Sequence, residues 1–139
     1  MAFKVTFQSD VRGAQRKMRN WGSEIVSEIA HQYTEDLKTT LSVPPARSGR
    51  RYVIDGQLHT ASAKGEPPAP LTGALRASIT PVQARSSDRK VEYAVMSDMD
   101  YAVDLELGIG SMLEHGERPA WINTLFEKLA SYQSIVRRG

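Results

Sequence analysis

Apolar and polar residues alternate over Phe3-Lys-Val-Thr-Phe7, the period of a half-buried strand. Past Ala14 the period changes. Ala14, Met18, Trp21, Ile25, Ile29, Tyr33, Leu37 and Leu41 step by three or four and predict one long amphipathic helix, with Ser9 or Asp10 as its cap. Gly13 and Gly22 each weaken that helix by up to about 1 kcal/mol relative to alanine, which allows a kink or a later start near Gly22. The Pro44-Pro45 pair ends it, because the residue before a proline is pushed out of the helical region.

Beyond Pro44 the periodicity breaks, and six of the seven prolines fall between residues 44 and 81. Within this stretch Arg51-Tyr-Val-Ile, Asp55-Gly56 and Gln57-Leu-His-Thr predict a hairpin, since Asp-Gly supplies the positive φ angles of a type I′ turn. Residues 43–70 therefore read as a long protruding Pro/Arg-rich β-arm. It carries Arg47, Arg50, Arg51 and Lys64 against Asp55 and Glu66, with a stiff, extended return from Glu66 to Pro70. Thr72 to Ser78 predicts a short helix capped by Thr72. Strands follow at Ile79–Ala84 and Val91–Met96, turning at Ser86-Ser87-Asp88. Tyr101–Leu107 is a helical turn or a strand stopped by Gly108 and Gly110. A last helix opens at Arg118-Pro119, with proline where a missing N–H costs least, and presents Ile122, Leu125, Phe126, Leu129, Tyr132 and Val136 on one face. The sum is an α+β class: a long N-terminal helix and a C-terminal helix on a small antiparallel sheet, as one domain over residues 1–139.

Composition narrows the chemistry. The 139 residues include no cysteine, which removes disulfides, thiolate metal sites and a cysteine nucleophile. The longest run without Asp, Glu, Lys or Arg is the nine residues Pro67–Leu75, about half of a membrane-spanning helix. No membrane partner is expected. Lys4 and the lack of an apolar core near the N-terminus argue against a secretory signal and fit the cytoplasm as the place of synthesis. His31, His59 and His115 fall in three different predicted elements and match no metal spacing. P-loop, G-x-S-x-G and G-x-G-x-x-G motifs are absent, so no cofactor and no catalytic residue is assigned.

Charge placement says more than the net charge of +2. Residues 1–19 hold Lys4, Arg12, Arg16, Lys17 and Arg19 against Asp10 alone. Residues 98–117 hold Asp98, Asp100, Asp104, Glu106, Glu114 and Glu117 with no lysine or arginine. A chain with one basic and one acidic surface can pair with its copies head to tail and close into a ring. Arg47, Arg50, Arg51, Arg12, Arg16 and Lys17 are the basic interface candidates, and Asp98, Asp100, Asp104 and Glu106 form the complementary acidic rim.

Three blocks of sequence resemble the tail-completion and head–tail joining proteins of tailed bacteriophages, a group that includes tail terminators. They are Ala61-Ser-Ala-Lys-Gly-Glu-Pro-Pro-Ala69 running into Thr72-Gly-Ala-Leu-Arg-Ala-Ser-Ile79, then Tyr101-Ala-x-x-x-Glu106-x-Gly108, then Arg118-Pro119-Ala120. Leu71 stands where that family commonly has Asp before Thr-Gly, and Leu107 and Trp121 stand at its usual Phe positions with apolar character kept. The resemblance implies helices on a small antiparallel sheet and monomers assembled into a ring at the virion neck. Hexamers are expected for terminators and twelvefold symmetry for other neck rings. It implies neighbouring connector and tail-tube proteins as partners, with DNA passing through the lumen. Thr72, Gly73, Leu75, Ile79, Tyr101, Gly108, Arg118 and Pro119 are then fold residues, with Tyr101, Leu105 and Gly108 holding the acidic segment against the sheet.

Two other functions remain open on the residues alone. A small nucleic-acid-binding protein would use the basic arm on phosphates. A metal-dependent nuclease would use Asp98, Asp100 and Asp104.

Overall fold

The computed structural model describes residues 2–8, 15–42, 46–70, 73–87 and 90–138. In chain order the elements are β1 (Ala2–Gln8), α1 (Gln15–Thr40), β2 (Arg51–Ile54), β3 (Gln57–Thr60), α2 (Ala74–Ser78), β4 (Thr80–Ser86), β5 (Lys90–Met96), α3 (Ala102–Leu107), a 3-10 turn at Gly110–Met112, and α4 (Trp121–Arg138). Helices and antiparallel sheets are mixed, as the α+β expectation requires. The caps proposed at Ser9 and Asp10 and the stop at Pro44-Pro45 lie outside the described residues.

The long helix is the middle layer. Ile25, Ile29, Tyr33, Leu37 and Leu41 are buried along its predicted stripe, and Val26, Ala30 and Thr34 are buried beside them. Two buried stripes let α1 pack on the sheet through one flank and on α4 through the other. It runs through Gly22 without a break. Against α4, the Tyr33 hydroxyl donates to the Trp121 carbonyl at 2.7 Å, and the Tyr33 ring lies 6.3 Å from that of Trp121 and 6.0 Å from that of Tyr132. Tyr132 donates to Asp36 Oδ2 at 2.8 Å, and Thr40 and Thr124 share a hydroxyl hydrogen bond of 2.8 Å. Burial raises the pKa of both tyrosines, with Glu106 adding to the effect at Tyr33 and Asp36 at Tyr132.

The three-stranded sheet has the order β1-β5-β4, both pairings antiparallel. Central β5 turns Val91 and Val95 toward α1, with Tyr93 packed against the core. Glu92 alternates to the other side, where Lys4 and Lys90 reach it at 3.3 and 3.9 Å. An irregularity between Gln83 and Arg85 shifts the β4 register by one residue.

Two helix starts differ from the expectation. α2 begins at Ala74 with Gly73, at φ 79°, in the cap position. Thr72, proposed as its cap, lies outside the described residues. α4 begins at Trp121, so Pro119 precedes the helix instead of opening it. The buried face of α4 also differs. Trp121, Thr124, Tyr132 and Ile135 are buried with Leu125 partly so, whereas Ile122, Phe126, Leu129 and Val136 are exposed. The polar bonds Thr124–Thr40 and Tyr132–Asp36 fix this rotation, and a count of apolar positions alone does not register a buried threonine.

Candidate functional site

The predicted hairpin is present as a separate two-stranded sheet. Asp55 and Gly56 take φ values of 51° and 78°, the positive angles that a tight hairpin turn demands. The register pairs Arg51 with Thr60, Tyr52 with His59, Val53 with Leu58 and Ile54 with Gln57. Alternation puts Arg51, Val53, Leu58 and Thr60 on one face. On the other, the Tyr52 and His59 rings stack with centroids 5.7 Å apart. Val53 and Leu58 are 66% and 64% exposed, and Arg50 and Arg51 are exposed beside them.

The base of this hairpin is bonded to the body. Arg47, expected on the interface, is buried: its Nε donates to the Pro67 carbonyl at 2.9 Å, and its Nη2 donates to those of Thr40 and Pro68 at 2.8 and 2.9 Å. Main-chain carbonyls occupy the guanidinium, which makes Arg47 a structural residue. Burial lowers its pKa, opposed by Glu66. Glu66 accepts from the Ser48 hydroxyl at 2.5 Å and from the Ser48 and Ala63 amides at about 3.0 Å. Chiefly the Ser48 hydroxyl bond holds its carboxyl below the ordinary glutamate pKa. Arg118 donates to the carbonyls of Ser62, His115, Gly116 and Glu117, tying the return strand to the start of α4.

The acidic segment is split by the fold. Asp98, Asp100 and Glu114 are exposed, and Asp104 is half-buried, accepting from the Ser111 hydroxyl at 3.3 Å. Glu106 is not on the rim. It is 5% exposed, and its two oxygens accept the amides of Ala120, Trp121 and Ile122 at 2.7, 3.0 and 2.7 Å. The first turn of a helix has amides without partners and a positive dipole end, and this carboxylate satisfies both from a distant element. Gly108 ends α3 at φ 68°, where a Cβ would meet the Glu117 backbone nitrogen at 2.7 Å. Tyr101 and Leu105 line a cavity of about 210 Å³ with Leu41, Pro70, Leu75 and Arg76. Ile79 is buried in the core and Leu75 packs against it.

Arg16 and Lys17 sit at the start of α1, and Arg12 lies outside the described residues. Among the described residues no group of three or more His, Asp or Glu side chains is placed to hold a metal ion. No helix among them is long and apolar enough to cross a membrane. Sequence reasoning missed the apolar half of both surfaces: Val53 and Leu58 on the hairpin, and Leu107 at the end of α3 with Ile109 and Leu113 beyond it, Leu113 being 73% exposed. Their signal was an apolar residue inside a charged, glycine-bounded segment. Comparison with family models, curated proteins and solved structures returns no match.

Proposed function

We propose that this chain is a structural protein of a phage neck, forming a ring that completes the tail and joins it to the head connector. The ring is hexameric and made in the host cytoplasm, with DNA passing through its lumen. Residues 43–70 serve as its protruding arm. One observation supports the reading: the chain exposes a basic hairpin with Arg50 and Arg51 and, separately, an acidic segment with Asp98, Asp100 and Glu114. Oppositely charged surfaces on one chain suit head-to-tail closure. Electron microscopy of particles made without this chain is the test. Tails of abnormal length beside full, unjoined heads are expected, and normal infectious particles overturn the reading.

The stacked Tyr52–His59 pair, next in sequence to the exposed Arg50 and Arg51, favours a second reading, a single-stranded nucleic-acid contact through stacking and phosphate pairing. It requires oligonucleotide affinity that falls steeply with salt, with a log–log slope set by the phosphates contacted.

A further inference from the structure

Each of the two charged surfaces carries an apolar centre that the chain leaves in solvent. On the hairpin, Val53 and Leu58 face each other across the strands, with Arg51 on the same face. At the end of α3 and just beyond it, Leu107, Ile109 and Leu113 are exposed in the same stretch of chain as the exposed Asp100 and Glu114 and the half-buried Asp104. Exposed apolar side chains gathered inside a charged border mark a surface meant to be covered.

We infer that the two surfaces cover each other between copies of this chain. The hairpin face of Arg51, Val53 and Leu58 seats on Leu107, Ile109 and Leu113 of the next copy, an assignment that rests on the ring reading for the number of copies. Charge names the occupant. Residues 98–117 contain no lysine or arginine, so two acidic segments repel, and two hairpin faces would bring Arg51 against its like. Only the crossed pairing places cation against anion around an apolar centre. Self-pairing is thereby disfavoured, and the contact joins unlike patches, which generates a ring or, with a two-fold axis, an exchanged dimer. The hairpin meets its partner already ordered at the base, because Arg47, Glu66 and Arg118 hold the strands above them in place. Less ordering is left to be done on association.

The absence of native cysteine makes the test clean. Full-length Leu58→Cys and Leu113→Cys are mixed in equal amounts and oxidised with diamide, which takes the two electrons released as each disulfide forms. Positions 58 and 113 are both exposed, and circular dichroism checks that each variant keeps the parent fold. The expected product is a 58–113 cross-link, dominant over 58–58 and 113–113. Adding Arg51→Glu to the Leu58→Cys chain lowers its yield about five-fold, and Asp100→Arg on the partner chain restores it. Mass photometry of full-length chain carrying both Leu58→Cys and Leu113→Cys, oxidised in the same way so that cross-links can run from copy to copy, then counts the copies. Copies that assemble without a 58–113 cross-link overturn this contact and leave the ring standing. A 58–113 cross-link found only in closed dimers keeps the contact and overturns the ring. Neither assembly nor cross-link at millimolar chain overturns both.

Discussion

In the layered body, Tyr33, Leu37, Ile79 and Val95 are shut off from solvent, and α1 is covered by the sheet on one flank and α4 on the other. In the hairpin Arg51–Thr60 no residue is buried, and its attachment runs through polar bonds at the base: Arg47 to three carbonyls, Glu66 to Ser48 and Ala63, Arg118 to Ser62. Apolar burial is non-directional and roughly additive over area, so the body gains stability from many contacts and tolerates the loss of a few. A hairpin alone is marginal in water, and this one depends on a short list of directional bonds. The difference teaches where stability and where recognition reside. The body sets the shape, and the hairpin is left with apolar and basic groups to present.

The comparison is broken most forcefully in the body. Tyr33→Ala empties a buried site and removes the bond to the Trp121 carbonyl, and is expected to cost about 3–5 kcal/mol in urea unfolding. Glu106→Ala leaves three amides at the start of α4 without their carboxylate and is expected to cost about 2–3 kcal/mol by the same measurement. At the hairpin base the effect is local. Arg47→Met is expected to speed amide hydrogen exchange at Gly49 and Ala61, which bridge the two strands below Arg51, while exchange in α1 keeps its protection.

Acid sharpens the same contrast. The Glu66 pKa is lower folded than unfolded, so its contribution is fully present above the unfolded value and is lost as pH falls through the folded one. Exchange at Ser48 and Ala63 is expected to quicken below that range before the α1 amides respond. Smallest of all, Arg51→Ala is expected to move the unfolding free energy by less than about 0.5 kcal/mol, since its side chain is exposed.

Much of this molecule was legible before any coordinate. The strand at Phe3–Phe7, the helix to Leu41, the Asp55-Gly56 hairpin and the strands around Ile79 and Val91 all appear where local pattern puts them. Of the interface candidates, Arg50, Arg51, Asp98 and Asp100 are exposed, whereas Arg47 and Glu106 are buried. A charged residue looks the same in sequence whether it meets water or a buried set of backbone groups, and those backbone partners lie 7 to 21 residues away.

The sequence by itself determined the elements, because period, proline and Asp-Gly act over a few residues. Only the tertiary structure decided which face of α4 is buried, that Glu106 caps that helix from α3, and that Arg47 braces the hairpin. Each of those depends on groups brought together by packing, where desolvation makes an unpaired amide or carbonyl costly and so favours a charged side chain that can reach it.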